Sequence, residues 1–486
     1  MRLRALLCLA GGILLIASQP ARADDDNGDN PAVNQTGTDS GSFWGRLFKA
    51  YHDDWTQQPS DSTSPAFRGD PAPVDGPPFP FTVWPYGGSV TIGQPWTQAG
   101  PLMTAIWGSS HGDWWKRNRI QIYGWLNGGV NVSTSQKSGY STFPEAYAER
   151  GDTPELDQEV LYIERQPDTV QTDHIDWGFR ISALYGLDYR FTTAEGWFSN
   201  QLLVHNYENG FDLPMAYFDL YIPYVAQGMD IRIGRYISLP DIEAQLAPNN
   251  YTYSHSLLYT FDAYTQTGLN ATIKLSNHWL FQIGVSPGND VAPWAKDAKL
   301  TLNTCLGYTW RAGIDNVYAC ANSVNDGNYA YNNLQAYYLT WYHKFHKDGS
   351  WHSSTESWYQ YERNTPNINN PVGATLTEVN ANGAQCVAYE VRCYAPEWAV
   401  VNYLEKQISK HNYLSIRNEY FDDIVGQRTG FKTPYSEHLI GWGHWIGTTV
   451  LFRPELRYER SYLVAAYDNG TRKNQLTLSS DVIFFF

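Results

Sequence analysis

The chain has 486 residues, of which 34 are Lys or Arg and 49 are Asp or Glu, so its formal net charge is −15. We expect no nucleic-acid partner from so acidic a chain, because a phosphate backbone is bound by clustered basic residues. The chain is rich in Tyr (35) and Trp (19), whose amphipathic rings suit a membrane–water interface or a carbohydrate surface.

The first residues have the pattern of a secretory leader. Two arginines precede an apolar run at 5–17, and Ala21-Arg22-Ala23 offers a small-x-small cleavage site. We therefore expect residues 1–23 to be a signal peptide cleaved after Ala23. No later stretch approaches the roughly 18 consecutive apolar residues of a transmembrane helix, which leaves a soluble secreted protein or a β-barrel.

Residues 24–115 form a polar and then Pro/Gly-rich stretch. Within it, six apolar residues recur at helical spacing and predict a short amphipathic helix; they are Phe43, Trp44, Leu47, Phe48, Tyr51 and Trp55. Seven prolines between positions 71 and 96 then favour extended or turn-like structure. We expect a poorly structured N-terminal extension, either periplasmic or tucked into a barrel mouth.

From Asn118 onward, apolar and polar residues alternate with a period of two. The clearest segment is 450–459, where five apolar positions alternate with charged ones. A charged face is costly to bury without water or partners, so this pattern fits a strand with lipid on one side and water on the other. A soluble β-sandwich would also alternate, with its apolar faces meeting in a core.

Tight and long connections alternate between these segments. The tight ones lie at 227–228, 277–278, 312–313, 348–349, 410–411 and 447–448, and the long ones include 238–264, 364–396 and 466–473. Short periplasmic turns and long external loops are typical of outer-membrane barrels. We predict that residues 116–486 form an all-β, transmembrane, antiparallel up-and-down β-barrel of about 16 strands, wide enough for a water-filled lumen.

Four cysteines remain after the leader, an even number that favours disulfides in an oxidising compartment. Cys386 and Cys393 flank a short segment. A hairpin turning at 312–313 would place Cys305 opposite Cys320 on neighbouring strands, and a bond between them needs Cα atoms within about 7 Å. Two free buried thiols are the alternative for the latter pair.

The last strand ends on an aromatic residue. Its apolar side chains share one face, and they are Leu476, Leu478, Val482, Phe484 and Phe486. This ending resembles the closing strand that bacterial outer-membrane barrels present to their assembly machinery, so we expect that machinery to be a partner through Phe486. An amphipathic strand that ends a soluble β-domain is the alternative.

Five short motifs, in order along 118–486, resemble those of the OmpL-like β-barrel porins. They are Ile-Gln-Ile-Tyr-Gly-Trp-Leu at 120–126, Ile-Asp-Trp-Gly-Phe-Arg at 175–180, Asp-Ile-Arg-Ile-Gly-Arg at 230–235, Thr-Gly-Leu-Asn-Ala at 267–271 and Phe-Arg-Pro-Glu-Leu-Arg-Tyr at 452–458. The resemblance implies an outer-membrane barrel that conducts solutes. It brings no substrate and does not cover residues 24–115.

Charged residues opposite the apolar faces are predicted to line the pore. They are Arg119, Asp176, Arg180, Asp219, Asp230, Arg232, Arg417, Glu419, Arg453, Glu455 and Arg457. Opposed basic and acidic rows would set a transverse field across the lumen, although any one of these residues could instead form an ion pair that stiffens the wall. The stretch 238–264 could fold inward as a constriction loop or stay external; its polar residues are Asp241, Glu243, Asn249 and Asn250.

Catalytic signatures are weak in this sequence. No nucleophile elbow, zinc-protease helix, Walker loop or dinucleotide fingerprint is present, and the pairs His343/His346 and His438/His444 lack helical spacing with an orienting carboxylate. We expect no catalytic residue, metal or cofactor.

The predicted function is passive diffusion of small hydrophilic solutes across the outer membrane. Such a porin contacts outer-membrane lipid, and a homotrimer is possible. Two alternatives remain open: a secreted β-rich carbohydrate-binding protein and, less favoured, an outer-membrane barrel enzyme with a Ser-His pair at its rim.

Overall fold

The computed structural model of the chain describes residues 41–56, 100–135, 142–148, 150–165, 167–169, 171–205, 207–310, 314–325, 334–347, 349–370, 383–409 and 411–486. These residues all belong to one compact unit. The expected leader with its cleavage site and the Pro-rich stretch at 71–96 lie outside the described residues. Within the described ranges, no helix has both the length and the apolar character needed to cross a membrane.

Sixteen antiparallel strands form a closed barrel in which each strand pairs with its sequence neighbours and β1 pairs with β16. The strands are β1 Ile120–Ser133, β2 Glu155–Arg165, β3 Asp176–Gly186, β4 Gly210–Ile222, β5 Met229–Ile237, β6 Thr265–Lys274, β7 Trp279–Ser286, β8 Thr301–Trp310, β9 Asp315–Val324, β10 Gln335–Lys344, β11 Trp351–Pro366, β12 Arg392–Ser409, β13 Asn412–Asp423, β14 Thr433–Ile446, β15 Val450–Ser461 and β16 Asn474–Phe485. The predicted fold class and strand number are confirmed.

Short helices occupy the N-terminal part and some loops. The α-helices are α1 Phe43–Thr56, α2 Pro101–Trp107, α3 Gly112–Asn118, α4 Asn200–Val204 and α5 Leu257–Thr260, and 3-10 helices lie at Leu187–Phe191 and Ala247–Asn249. Thus α1 occupies the stretch whose aromatic residues recur at helical spacing. Each of the other helices is no longer than seven residues.

The barrel wall turns its apolar side chains outward. On β1 and β16, Leu126 and Leu478 are 41% and 58% exposed, whereas Asn127 and Thr477 beside them are 2% and 0% exposed. The sequence shows only that two faces alternate, and the closed sheet decides which one meets lipid. A soluble sandwich would place these leucines in a dry core, so that arrangement is wrong for this chain.

Exposed aromatic residues form bands at both ends of the wall. Most exposed tryptophans of the wall lie at the end with the short turns, and they are Trp177, Trp279, Trp341, Trp351 and Trp442; Trp398 lies toward the other end. Tyrosines lie toward the end with the long loops, and they are Tyr185, Tyr337, Tyr359, Tyr394 and Tyr458. Two aromatic girdles that flank an apolar belt are the interface anchors of an outer-membrane barrel.

Both cysteine pairs are joined. The register of β8 and β9 sets Cys305 directly opposite Cys320, with the Cα atoms 4.1 Å apart and the sulfur atoms 2.16 Å apart. Cys386 and Cys393 bond at an S–S distance of 1.97 Å. The predicted disulfide pairing is confirmed for both pairs.

Helix α1 packs on the end of the closing strand, at the rim with the short turns. The Tyr51 hydroxyl donates to the Phe485 carbonyl at 3.0 Å, and the Tyr51 ring stacks on Phe484 with centroids 5.2 Å apart. Asp54 accepts hydrogen bonds from the Thr448 N–H and hydroxyl at 2.9 and 2.8 Å. The helix therefore ties β16 to the turn between β14 and β15.

Beyond the last residue of β16, Phe486 continues the pairing with β1. Its N–H donates to the Gly124 carbonyl at 2.9 Å, and the Gly124 N–H donates back at 3.2 Å. A Cβ at position 124 would lie 1.9 Å from the Val160 carbonyl oxygen and 2.7 Å from the Phe486 ring. Glycine is required here because the seam leaves no room for a side chain.

Candidate functional site

The loop between β5 and β6, residues 238–264, lies against the interior face of the wall; we call it the inward loop. Its base is closed by a hydrogen bond from the Ser238 N–H to the Tyr264 carbonyl at 2.8 Å. Apolar residues of the loop, such as Leu239, Ile242 and Leu257, are each at most 2% exposed. The loop places these residues in the largest cluster of buried apolar side chains, and its polar groups bond to the polar face of the wall.

The side chain of Arg417 on β13 binds the backbone of the inward loop. Its guanidinium donates to the carbonyls of Ser254 and His255 at 2.5 and 3.0 Å. The same group pairs with Glu437 of β14 at 2.6 Å. Arg417 is fully buried, so its charge is balanced by this ion pair and by carbonyl dipoles.

Arg453 of β15 makes an equivalent set of contacts. It donates to the carbonyls of Ala247 and Asn250 at 2.9 and 2.7 Å and pairs with Asp481 of β16 at 2.9 Å. Two predicted lumen arginines on two strands therefore grip different parts of the inward loop. The planar guanidinium suits this task because it can donate several hydrogen bonds in fixed directions.

Carboxylates of the wall accept hydrogen bonds from N–H groups of the loop. Glu419 accepts from Leu257 at 2.9 Å and also from the next residue. Glu455 accepts from Tyr253 at 3.0 Å, and Glu356 of β11 accepts from Ile242 at 2.7 Å. Hydrogen bonds to a charged acceptor are stronger than neutral ones, so both kinds of wall charge fix the loop backbone.

The proposed constriction residues lie within the inward loop and are largely buried. Asn250 bonds Ala244 in both directions, at 2.8 and 2.6 Å, and so closes a tight turn. Glu243 accepts from the Ser256 N–H at 3.0 Å and from the Tyr403 hydroxyl of β12. Asp241 is 3% exposed, and Asn249 is half-buried in the 3-10 helix.

The remaining predicted lumen residues lie on other parts of the wall. Arg232 of β5 pairs with Asp219 of β4 at 2.8 Å, and Arg180 pairs with Glu164 at 2.6 Å. Asp230, beside them on β5, is 2% exposed. These charges are on β2 to β5, away from the strands that carry Arg417 and Arg453.

Two further members of the predicted set lie toward opposite ends of the barrel. Arg119, just before β1, pairs with Asp176 of β3 at the end with the short turns. Arg457 of β15, toward the other end, pairs with Glu145 and, at 3.2 Å, with Glu459. The pairs of Arg180, Arg232, Arg417 and Arg453 join neighbouring strands, where side chains opposite each other in a ladder are about 5 Å apart, whereas opposed rows were expected. Arg119 instead reaches past β2 to β3, and Arg457 pairs within its own strand and with a loop.

His255 is a site residue that the sequence did not single out. Its Nε2–H donates to the Ala244 carbonyl at 2.8 Å, and its ring stacks on Tyr147 at 4.0 Å. Burial lowers the pKa of His255 to about 3, so the imidazole is neutral at physiological pH. A histidine within a long loop carries no periodic signal that would reveal this position.

Glu437 and Glu356 are wall residues that the sequence analysis also missed. Both lie at interior positions of alternating strands. Glu437 falls between Tyr435 and Leu439, with exposed His438 and Ile440 on the other face. The period-two pattern of β14 could have revealed Glu437 had that strand been read like the others.

The histidines considered as catalytic candidates lie near the rim or on the outer face. His343 contacts Asp315 at 2.7 Å, His438 contacts Asn418 at 2.8 Å and His444 contacts Asn412 at 2.9 Å. In the described part of the chain, no serine hydroxyl hydrogen-bonds to any of these three rings. His343 does have a carboxylate partner, which the sequence spacing did not reveal.

Residues 119–486 match the family described as "Putative beta-barrel porin-2, OmpL-like". The chain belongs to this family. It is an outer-membrane porin. No curated protein matches the sequence.

The porin is also similar to solved structures. These include an anion-selective porin from Comamonas acidovorans (8% identity, 76% of this chain and 99% of that chain, TM-score 0.47) and OprB from Pseudomonas putida (11%, 79% and 98%, 0.47). The channel DcaP of Acinetobacter baumannii is a third (10%, 76% and 97%, 0.47). Similarities this low say nothing about the solute of this porin.

Proposed function

We propose that this porin passes small hydrophilic solutes by passive diffusion and that the inward loop forms its narrowest point. The observation that supports this is the set of anchors that hold the loop within the barrel. Besides the anchors on β11, β13 and β15, Gln158 of β2 donates to the Gln245 carbonyl at 2.7 Å and accepts from the Ala247 N–H at 3.0 Å. A loop fixed to both sides of the seam narrows the passage and leaves β3 to β5 as its opposite wall.

We propose that Arg180 and Arg232 border this passage, together with Asp219 and Asp230. Arg232 lies over the Tyr217 ring at 3.8 Å, so a rigid aromatic surface supports its guanidinium. Because Arg180 and Arg232 each have a carboxylate partner, the field across the passage is weak. We expect small cations and anions to cross at similar rates, with acidic loops setting the residual preference.

Planar-bilayer recording tests the proposed function. The purified, detergent-folded chain is added to one side of the membrane, and folding is checked by heat-modifiable migration on gels. We expect stepwise conductance in simple salt and a reversal potential near zero in a salt gradient. Folded protein that inserts without conductance would overturn the proposal, and a heat-unfolded sample is the control.

We further propose the domain limits, export, assembly and oligomeric state of this porin. Residues 24–115 form the N-terminal extension and 116–486 the barrel; export removes residues 1–23 after Ala23, and the assembly machinery recognises Phe486. N-terminal sequencing of the mature protein tests the cleavage, and deletion of Phe486 should reduce the folded yield in cells. The proposed assembly is a homotrimer that binds no nucleic acid, and cross-linking in native membranes would detect the trimer.

We propose that the chain has no enzymatic activity. The supporting observation is that His343, His438 and His444 contact Asp315, Asn418 and Asn412, none of which is a serine, threonine or cysteine that a histidine could activate. Incubation of the folded porin with phospholipid and with short-chain esters should release no product above a buffer blank. Hydrolysis that is lost in a His343→Ala variant would contradict this.

A further inference from the structure

Three carboxylates meet where the inward loop joins the barrel wall. Asp241 and Asp262 come from opposite ends of the loop, and Glu356 comes from β11. One oxygen from each lies within 4.8 Å of the others. Their exposed fractions are 3%, 6% and 0%, and within the described ranges no Lys, Arg or His forms an ion pair with any of the three.

Each of these carboxylates has a buried oxygen without a hydrogen-bond donor. Glu356 uses Oε2 to accept from the Ile242 N–H at 2.7 Å, and Asp262 uses Oδ1 to accept from the Ala263 N–H at 2.6 Å and from the Tyr338 hydroxyl. The second oxygens, Glu356 Oε1 and Asp262 Oδ2, have no partner. In both Glu356 and Asp262, one carboxylate oxygen therefore accepts hydrogen bonds and the other accepts none.

Asp241 supplies an independent indication of a missing partner. Its buried Oδ1 has no donor, and no described N–H or hydroxyl group donates to its side chain. Leaving a carboxylate oxygen unpaired in a buried site costs on the order of 1–3 kcal/mol or more. A cation between the three acids would supply the missing partner, and a proton shared between Asp241 and Asp262 is the other way to relieve this cost.

The size and chemistry of the cluster fit a calcium ion. Calcium–oxygen bonds measure about 2.3–2.6 Å, so two ligand oxygens on opposite sides of one ion lie roughly 4.6–5.2 Å apart. The three carboxylate oxygens lie within 4.8 Å of one another, which satisfies this limit. The donors are all oxygen, which favours hard cations; magnesium demands shorter bonds in near-ideal octahedral geometry.

We propose that Asp241, Asp262 and Glu356 bind one Ca²⁺ ion that fastens both ends of the inward loop to β11. The ion would neutralise three buried acids and bridge segments that only the fold brings together. No metal was expected from the sequence, where only histidine pairs were weighed as ligands; positions 241, 262 and 356 follow no ligand spacing. This site does not depend on which solute the porin conducts.

Calcium binding by the folded protein tests the proposal directly. The EDTA-treated, detergent-folded full chain is titrated with CaCl₂ by calorimetry. We expect one ion per chain with a Kd of about 1 mM or tighter, the weak end of protein calcium sites. Glu356→Gln and Asp262→Asn should each weaken binding at least about tenfold, because each removes a charged ligand.

Glu405→Gln is the matched control. Glu405 is also buried on the interior wall, on the neighbouring β12, and contacts Ser415 outside the cluster. We expect this variant to bind calcium as the wild type does. All variants are first checked for heat-modifiable migration, and Asp262→Asn tests the site if Glu356→Gln fails to fold.

Shared protons are the alternative to an ion at this cluster. In that case the wild type would bind no calcium up to about 10 mM, EDTA would leave its thermal unfolding unchanged, and the proposal would be overturned. Equal affinity in Glu356→Gln, Asp262→Asn and the control would likewise overturn it, since binding would then occur elsewhere. A chain that conducts in bilayers without binding calcium would leave the proposed function intact.

Discussion

Two buried arginines contribute to holding the inward loop against the wall. Arg417 and Arg453 donate to loop carbonyls while each pairs with a carboxylate of the adjacent strand. Removing one partner of a buried ion pair leaves an uncompensated charge, which costs about 3–5 kcal/mol. The arginines therefore couple the stability of the wall to the position of the loop.

Arg417→Gln should loosen the inward loop. The variant loses the donors to Ser254 and His255 and leaves Glu437 without its partner, so we expect a loss of about 3–5 kcal/mol in unfolding free energy. Single-channel recording should show higher and noisier conductance than the wild type. Arg235→Gln is the control, since it breaks an equally buried ion pair of the wall, with Asp212, but removes no bond to Ser254 or His255.

Conductance steps of Arg417→Gln that match the wild type in size and noise would contradict this role. The urea-unfolding curve of the variant supplies a second measurement. It shows whether the pair has been lost even if the loop has not moved.

His255 should make the porin sensitive to acid. Its pKa falls from 6.5 in the unfolded chain to about 3 in the folded one because of burial. The unfolded state therefore binds the proton more readily, so the contribution of His255 to stability is complete above pH 6.5 and is lost as the pH falls toward 3. Its unpartnered Nδ1 would become a buried donor on protonation, close to Arg417.

The His255→Gln variant isolates this effect. Between pH 7.5 and 4.5, the unfolding free energy of the wild type should fall relative to that of the variant, by up to about 1.4 kcal/mol per pH unit below 6.5. Asp290, whose pKa burial raises to about 6, acts in the opposite sense. It is present in both proteins, so the difference cancels it. Parallel pH profiles would show that His255 does not titrate as described.

For single residues, the sequence predicts which face of a strand a side chain occupies better than it predicts which residues that side chain contacts. Alternation along β15 was enough to place Arg453 and Glu455 on the polar face. Their bonds to Asn250 and Tyr253 join positions about 200 residues apart, and a period of two carries no information on such pairs. The neutral state of His255 could not be predicted either, because it follows from burial and, to a smaller extent, from the nearby Arg417 and Arg453.

Among the elements, α1 is fastened to the barrel by side chains that no strand pattern includes. Asp54 bonds the turn at Thr448, and Trp55 donates to the Thr449 hydroxyl at 2.8 Å. The helix thereby supports the end of β16 that Tyr51 also contacts. Its contribution should appear as stability of the seam between β16 and β1.

Asp54→Ala should lower the thermal stability of the folded barrel. The Thr448 and Thr449 donors lose their acceptor, for which we expect a cost of about 1–3 kcal/mol. Asp53→Ala is the matched control; Asp53 forms a surface pair with Lys49, worth at most about 1 kcal/mol. The temperature at which gel mobility shifts from folded to unfolded provides the measurement, and equal values for the two variants would contradict the role of α1.

Strands and turns were predictable because each strand repeats a local rule. Lipid on one side and polar contacts on the other impose the same alternation on β1, β3, β15 and β16, and the short turns follow from strand length. The register of β8 and β9 followed from the position of two cysteines. The docking of α1 was not predictable, because its contacts on the β14–β15 turn are 394 residues away in sequence.

At the scale of the whole molecule, stability depends on the outward apolar belt. Leu478→Arg places a charge on the lipid face of β16, where Leu478 is 58% exposed. We expect a loss of about 2–4 kcal/mol for folding in lipid vesicles, the cost of Arg near the bilayer midplane. Leu463→Arg is the control, since Leu463 is equally open at 64% but lies in a loop. Equal unfolding free energies for both variants would argue against a lipid-facing β16.

The barrel fold of residues 116–486 could be predicted from sequence, whereas the position of the inward loop could not. A stretch of 27 residues with mixed polar and apolar character suits an external loop as well as an internal one. Whether the loop lies inside depends on wall residues that bind its backbone, such as Glu419 and Arg417, and these lie far along the chain. Sequence therefore indicated a porin but left open whether residues 238–264 fold inward or stay external.

The pairing of β1 with β16 has a consequence for biogenesis. Each of the fifteen strands β2 to β16 can pair with the preceding strand as the sheet grows. The barrel, however, stays open until β16 pairs with β1. Until then, two unpaired ladders offer their backbone groups to any other chain, which is a hazard for aggregation. Closure of the barrel should thus be a late, all-or-none step. Its rate should be limited by how quickly the cell protects the exposed edges of β1 and β16.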